Sequence, residues 1–162
     1  FTSLMYLAHE RRSVVSPYFV PDESLLAAIT SAALRGVEVD LYVSEQADQF
    51  MVDRAQSSYY HALLEAGVRI LRYPAPQVLH TKCFIVDDEI AVMGSSNLDM
   101  RSFGLNYEIS LLSYGGDIVG QLKEVVADYA ARSTVLDYQT WNSRSIARRY
   151  TESVMRLTSA LQ

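Results

Sequence analysis

The stretch SVVSPYFVPDESLLAAITSAALRGVEVDLYV, residues 13–43, decides the fold class of this chain. Its first part, 13–20, is typical of a short buried strand. Asp22 then makes a favourable helix N-cap, and apolar residues recur at helical spacing as far as Gly36, a favourable C-cap residue. Residues 37–43 alternate apolar and polar side chains, which predicts a second strand. A strand, a helix and a strand in this order form a unit whose strands pair in parallel.

The rest of the chain continues this alternation and then changes to consecutive strands. The further predicted elements are a helical end at Phe1–Glu10, a helix from about Ala47 to Ala66, strands at 68–73, 79–87, 89–94 and 106–114, and helices from about Asp117 to Arg132 and from about Asn142 to Ser159. The two strands on either side of residue 88 are predicted to form an antiparallel hairpin. We therefore predict an α/β fold with a mixed β-sheet sandwiched between helices.

The composition is that of an ordinary globular domain. The chain has 162 residues, of which 49% are hydrophobic and 20% charged, so we predict a single domain over 1–162. The net charge of −5 counts against broad nucleic-acid binding, although it leaves room for a local basic pocket. The lone cysteine, Cys83, excludes an internal disulfide, and we predict that it lies in the core. No apolar run approaches the ~20 residues that a membrane span needs.

The candidate chemistry lies in the predicted hairpin, LHTKCFIVDDEIAVMGSSN, residues 79–97. His80 and Lys82 are two residues apart, so in a strand their side chains would point to the same face. A base or nucleophile beside a fixed positive charge suits an anionic substrate. Ser95 and Asn97 follow a predicted strand and can offer hydrogen-bond donors to the oxygens of such a substrate. The chain shows no His, Cys and Asp cluster with metal-ligand spacing, so we expect neither a metal nor another cofactor.

These positions form one longer pattern, H-x-K-x4-D-x6-G-S-x-N. Its fixed residues are His80, Lys82, Asp87, Gly94, Ser95 and Asn97. The pattern resembles the HKD motif of the phospholipase D superfamily. Longer segments, such as 13–43 and GSSNLDMRSFGLNYEISL at 94–111, resemble the carboxy-terminal half of bacterial cardiolipin synthases. The resemblance covers nearly the whole chain and implies a phospholipase D-like fold.

The resemblance also implies roles for individual residues. The catalytic residues would be His80, Lys82, Asp87 and Glu108, and the residues that bind the substrate phosphate would be Ser95 and Asn97. In the family a glutamate downstream of the motif orients the histidine, and Glu108 occupies that place. The residue types alone also allow Asp87, Ser95 and Asn97 to be structural turn residues, because aspartate, serine and asparagine are common in turns.

The implied reaction is phosphatidyl transfer between two phosphatidylglycerol molecules through a phosphohistidine, as in cardiolipin synthesis, although water could also be the acceptor. Active sites of this family use two HKD motifs that face each other, whereas this chain has one. Because the chain begins at Phe1, we expect it to be the second half of a longer enzyme. His80 could then be the nucleophile or the general acid and base.

The expected partners follow from the same resemblance. They are an anionic phospholipid and either an N-terminal half with the first motif or a second copy of this chain, with no nucleic acid. We expect the full-length protein to associate with the bacterial inner membrane, and this chain alone to be soluble and inactive as a monomer. Two alternatives remain: a homodimeric one-motif phosphodiesterase or nuclease, and a half-domain without catalysis. The basic terminal helix, with Arg148 and Arg156, has either a solvated face or a face that contacts lipid headgroups.

Overall fold

The computed structural model describes residues 2–46 and 50–144. The helices are α1 (Thr2–Leu7), α2 (Glu23–Leu34), α3 (Phe50–Glu65), α4 (Met100–Gly104), α5 (Gly116–Arg132) and α6 (Tyr138–Asn142). The strands are β1 (Arg11–Val15), β2 (Phe19–Val20), β3 (Glu38–Ser44), β4 (Arg69–Tyr73), β5 (Cys83–Val86), β6 (Ile90–Gly94), β7 (Leu98–Asp99), β8 (Ser110–Tyr114) and β9 (Thr134–Val135).

Most of these strands belong to one mixed sheet with the order β8-β6-β5-β1-β3-β4-β9. The central strands β1, β3 and β4 run parallel, as the early strand-helix-strand pattern predicts. The pairs β1–β5, β5–β6, β6–β8 and β4–β9 are antiparallel. The short strands β2 and β7 pair in parallel outside this sheet. The predicted mixed sheet is therefore confirmed.

Helices cover both faces of the sheet, because both faces carry apolar side chains. One core packs residues of α1, α2 and α3 against the sheet, with Val14 and Leu41 among its strand residues. The other core packs α5 against the opposite face, where Tyr42 and Ile85 contribute. Asp22 caps α2 as predicted, and its carboxylate accepts a hydrogen bond of 2.7 Å from the amide of Leu25. None of the helices within residues 2–46 and 50–144 has both the length and the apolar character that crossing a bilayer requires.

Three predicted boundaries were wrong. The strand predicted at 13–20 is two strands in different sheets, since Pro17 cannot donate a ladder hydrogen bond and the hydroxyl of Ser16 turns to the carbonyl of Tyr18, 2.6 Å away. The strand predicted at 79–87 begins only at Cys83, and the strand predicted at 106–114 begins only at Ser110. The short elements β7, α4, β9 and α6 were not predicted, and most of the helix predicted at 142–159 lies outside the described residues.

Candidate active site

The segment that carries His80 and Lys82 precedes β5 and is not part of it. The strand argument for a shared face is therefore wrong for these two residues. They are nevertheless close together, because the Lys82 ammonium donates a 2.8 Å hydrogen bond to the carbonyl of His80. His80 is exposed and Lys82 is half-buried. The segment lies where the parallel strands β1 and β3 end, which is the edge where open α/β sheets place their sites.

Two side chains from distant elements hold this segment on either side of His80. The hydroxyl of Ser44, at the end of β3, accepts a 3.0 Å hydrogen bond from the amide of Leu79 and donates one of 3.3 Å to its carbonyl. The hydroxyl of Thr81 bonds to that of Tyr129 on α5 at 2.6 Å. The sequence does not reveal these anchors, because a hydroxyl group has no spacing signal for a partner 35 or 48 residues away.

The charge of Lys82 lies in a partly desolvated place. Burial lowers the pKa of Lys82 from its ordinary value, while the negative charges of Glu108 and Asp99 oppose that shift. The ammonium group is thus less solvated than a surface lysine and has carboxylates nearby. Such a group favours a phosphate oxygen more strongly than one in bulk water would, because charges interact more strongly at lower dielectric.

Glu108 is bonded to Ser95 rather than to His80. The hydroxyl of Ser95 donates a short hydrogen bond to the Glu108 carboxylate, and the side-chain amide of Asn106 donates a second one of 3.1 Å. These two bonds are the main causes that lower the pKa of Glu108, and the charge of Lys82 adds to them. No ion pair joins Glu108 and His80 within the described part of the chain, so the predicted orienting contact is not formed.

Asn97 and Cys83 differ in what they offer to a ligand. The backbone amide of Asn97 donates to the hydroxyl of Ser102 at 3.2 Å. The side-chain oxygen of Asn97 is buried without a hydrogen-bond partner among the described residues, and such atoms in native structures usually bond to something. Cys83 is buried in the core as predicted, and burial raises the pKa of its thiol to about 12. Cys83 is therefore not a candidate nucleophile at neutral pH.

The glycine of the motif is required by close packing between two strands. A Cβ atom at Gly94 would collide with the carbonyl oxygen of Ile109 and would lie 2.9 Å from the Cα atom of Ser110. Gly94 pairs with Ser110 in the β6–β8 ladder, so the absence of a side chain lets β8 approach. This approach brings Glu108, just before β8, to Ser95, just after β6.

Gly94→Ala should therefore destabilise the protein by about 1–3 kcal/mol, since the added methyl group forces backbone apart. Gly120→Ala is the matched control, because a Cβ atom there meets nothing within 4 Å. Gly120 lies exposed in α5, where alanine should stabilise by about 0.5–1 kcal/mol. Urea unfolding of both variants checks the difference, and equal stability would contradict the packing role of Gly94.

Asp87 lies away from the other candidate residues. It follows β5 at the end opposite Lys82, roughly 15 Å along the strand. Its carboxylate accepts hydrogen bonds of 2.8–2.9 Å from the backbone amides of His9, Glu10 and Arg11. The predicted catalytic role of Asp87 does not fit this placement. We therefore assign Asp87 to the turn and to fixing the chain that enters β1.

Asp87→Ala should cost about 1–3 kcal/mol of stability, because three amides lose their acceptor. Burial raises the pKa of Asp87, but the three backbone hydrogen bonds together lower it further, so its folded-state pKa lies below the ordinary value. The stabilisation is then present above about pH 4 and is lost as the pH falls through the folded-state pKa. Urea midpoints measured from pH 7 to pH 3 should fall less for Asp87→Ala than for the parent.

Asp87→Asn is the control, since it keeps one acceptor oxygen and tolerates the left-handed φ of 49° at this position. It should lose less stability than Asp87→Ala at neutral pH. Identical losses in the two variants would mean that the negative charge of the carboxylate, rather than its acceptance of these hydrogen bonds, explains the effect.

No group of three or more His, Cys, Asp and Glu residues within residues 2–46 and 50–144 is arranged to hold a metal ion. The arrangement offers instead an ammonium group that is bonded to the backbone of an exposed histidine, with hydroxyl and amide groups nearby. These are the groups that phosphoryl chemistry uses as nucleophile or acid, counter-charge and hydrogen-bond donors.

Sequence comparison identifies a family that carries the same motif. Residues 1–129 match the family model described as cardiolipin synthase, phospholipase D-like domain. The chain is 40% identical over 157 residues to cardiolipin synthase A of Yersinia pseudotuberculosis and of Yersinia pestis. The match covers 97% of this chain and 32% of those proteins, so the chain spans about a third of the length of these curated relatives.

Solved structures share the fold at low sequence identity. Nuc from Salmonella typhimurium, a phospholipase D family member, superposes with a TM-score of 0.71 at 18% identity and covers 83% of this chain and 87% of that one. The phosphatidylserine synthase of Haemophilus influenzae Rd KW20 gives a TM-score of 0.78 at 17% identity, over 99% of this chain and 44% of that one. With the motif, the mixed sheet and the matching family model together, the chain belongs to the cardiolipin synthase family of phospholipase D-like domains.

Proposed function

We propose that this chain, over residues 1–162, is one phospholipase D-like catalytic half of a cardiolipin synthase. In the whole protein a phosphatidyl group passes from one phosphatidylglycerol to a hydroxyl of another, and glycerol is released. The observation that carries this proposal is the complete HKD pattern in a chain that is 40% identical to cardiolipin synthase A over 97% of its length. The contact between Lys82 and His80 supports it.

The reaction balances in two displacements. A histidine ring nitrogen first attacks the phosphorus, so that an N–P bond forms and the P–O bond to glycerol breaks, while a second imidazole gives its proton to the leaving oxygen. An acceptor hydroxyl then attacks, an O–P bond forms, the N–P bond breaks, and that imidazole takes the hydroxyl proton. His80 performs one of these two roles, and the histidine of a second motif performs the other. Lys82 and Asn97 stabilise the phosphate charge.

The second motif would come from an N-terminal half, or from a second copy of this chain. Apolar side chains stay exposed on β8 and next to it, close to Ser95 and Glu108. They include Met93, Leu105, Tyr107, Ile109, Leu111, Leu112 and Tyr114. An apolar surface of this kind around a half-site suits a protein partner. The chain alone, as a monomer, is then inactive, and the full-length protein acts on anionic phospholipid at the bacterial inner membrane.

The test uses the full-length protein on vesicles of phosphatidylglycerol. Cardiolipin and glycerol should appear in equal amounts, and no added metal should be needed. Phosphatidic acid without cardiolipin would mean that water is the acceptor, which would make the protein a hydrolase. Cleavage of DNA without any lipid product would favour the phosphodiesterase or nuclease alternative instead.

Ser44→Ala should lower kcat about tenfold in this assay and leave KM nearly unchanged, because it releases both backbone groups of Leu79 beside His80. The substitution is small and buried, so thermal unfolding must be measured alongside. Ser58→Ala is the control, because within residues 2–46 and 50–144 the Ser58 hydroxyl bonds to the carbonyl of Ala55 in its own helix α3. If kcat stays at the parent value in a folded Ser44→Ala protein, Ser44 does not position His80.

A further inference from the structure

An open cleft of about 450 Å³ lies beside the motif residues. It lies between the first turn of α1, the start of α2, α4 and the beginning of β8. Its volume falls in the range of small-molecule binding sites. Hydroxyl side chains line much of it, with Ser96, Ser102 and Ser110 among them. The ring of Phe103 supplies an apolar wall.

The cleft adjoins the place where phosphate would bind. A smaller cavity beside it is lined by Lys82 and Gly94. Ser96 and Ser110 line both cavities, so the two spaces share a wall. A molecule in the larger cleft can therefore extend towards the ammonium group of Lys82.

The chemistry of the lining excludes a phosphate from the cleft itself. Two carboxylates, those of Asp22 and Glu108, line it, and none of its described lining residues is a lysine or an arginine. Hydrogen bonds hold the pKa of Glu108 below its usual value, so that this group is ionised at neutral pH. A phosphate would be repelled by these charges and would bind near Lys82 instead.

The lining can accept hydrogen bonds from a ligand hydroxyl and can also donate a hydrogen bond to it. The Asp22 carboxylate already accepts from the amide of Leu25 and the hydroxyl of Ser24, and the Glu108 carboxylate accepts from Ser95 and Asn106. A carboxylate has about four acceptor positions, so each can accept a further donor. The hydroxyl of Ser96 already donates to the carbonyl of Asn97, and that of Ser102 bonds to Glu108, so among the serines named here the hydroxyl of Ser110 is the one left to donate to a ligand oxygen. A polyol both donates and accepts, whereas an ammonium group only donates.

We infer that this cleft binds the glycerol headgroup of the acceptor lipid. This inference rests on the proposed function, and it assigns the acceptor to one side of the site. The hydroxyls of the headgroup donate to Asp22 and Glu108, one of its oxygens accepts from Ser110, and its carbon chain packs on Phe103. Bound there, the headgroup can present one hydroxyl towards the phosphorus held at Lys82.

The experiment measures which acceptor the full-length protein prefers. Vesicles of phosphatidylglycerol serve as the donor, with ¹³C-labelled glycerol, propan-1-ol and ethanolamine as competing acceptors at equal concentration. The products are labelled phosphatidylglycerol, phosphatidylpropanol and phosphatidylethanolamine. The parent protein should prefer glycerol to both other alcohols. Asp22→Asn should reduce the preference for glycerol over propan-1-ol about tenfold, the effect expected for one hydrogen bond to a charged group.

Asparagine caps a helix as well as aspartate does, so Asp22→Asn should leave α2 intact. Glu23→Gln is the matched control, because it removes the same charge one residue away, at an exposed position outside the lining. It should keep the parent preference. An unchanged preference in Asp22→Asn, or ethanolamine outcompeting glycerol in the parent protein, would overturn the inference.

A second measurement distinguishes failure of the proposed function from failure of this inference. If the parent protein does not cleave phosphatidylglycerol, the proposed function fails, and the cleft is judged by saturation-transfer NMR with glycerol as the probe on the full-length protein. A glycerol signal that weakens in Asp22→Asn but not in Glu23→Gln supports a polyol site. No glycerol signal in the parent protein overturns it.

Discussion

His80→Ala should lower the turnover of phosphatidylglycerol by the full-length protein at least 10² to 10⁴-fold, the range expected when a general acid and base is lost. The loss should be larger still if His80 is the nucleophile, because no covalent intermediate can then form. The side chain is exposed and forms no hydrogen bond recorded within the described residues, so its removal should not affect folding. Rates of cardiolipin formation, with thermal unfolding measured beside them, provide the check.

The matched control is His9→Ala, another exposed histidine, whose backbone rather than its ring contacts Asp87. That variant should keep turnover within about twofold of the parent, since surface substitutions seldom matter. A His80→Ala protein with turnover within a few-fold of the parent would remove His80 from the mechanism. Quenching the reaction of the parent and isolating a phosphohistidine on residue 80, or on the other motif, would assign the nucleophile.

Lys82→Ala should cost about 10² to 10³-fold in kcat, the usual effect of removing one group that stabilises transition-state charge. Lys82→Arg should recover only part of this loss, because a planar guanidinium does not replace a compact ammonium group. Lys82→Ala removes the charged group, whereas Lys82→Arg keeps the positive charge and changes only the shape of the group. Arginine stays protonated throughout the accessible pH range.

The pH dependence gives Lys82 a separate signature. Because burial lowers the pKa of Lys82, it loses its charge at a lower pH than a free lysine, whose pKa is about 10.4. The rate of the parent protein should therefore fall on the alkaline side below that value, and this fall should be absent in Lys82→Arg. Lys123→Arg, at an exposed lysine paired with Asp88, serves as the control and should keep the parent profile. An identical alkaline limb in parent and Lys82→Arg proteins would contradict the assignment.

The sequence was sufficient for the parts of the fold that depend on local pattern. The capped helix after Asp22 and the alternating strand that follows it appear where predicted, because their residues make the contacts that the pattern requires. The strand predicted from 79 fails at its start, because whether a segment joins a ladder depends on a neighbouring strand and not on its own residues. Side-chain hydrogen bonds from β3 and α5 hold Leu79 and Thr81 instead.

In the candidate site, too, the sequence predicts some features and misses others. The motif groups His80, Lys82, Ser95 and Asn97, and in the fold they lie just before β5 or just after β6, at one end of this antiparallel pair. It does not distinguish Asp87, which belongs to the same pattern but contacts the chain before β1. It also does not show that Glu108 bonds to Ser95, because that contact depends on the close approach of β8 to Gly94. Three-dimensional packing, rather than sequence spacing, decides these two roles.

The two hydroxyl anchors beside His80 have a consequence for how the proposed activity is lost. The β-ladder, including the bond from the Gly94 amide to the carbonyl of Lys82, keeps its backbone hydrogen bonds when Ser44 and Tyr129 release residues 79–81, so these residues can open at a lower free energy than global unfolding. Amide hydrogen exchange at Leu79 should then be faster than exchange in β5 and β1. Heat or mild denaturant should inactivate the protein before the sheet melts, and cooling should restore activity without refolding.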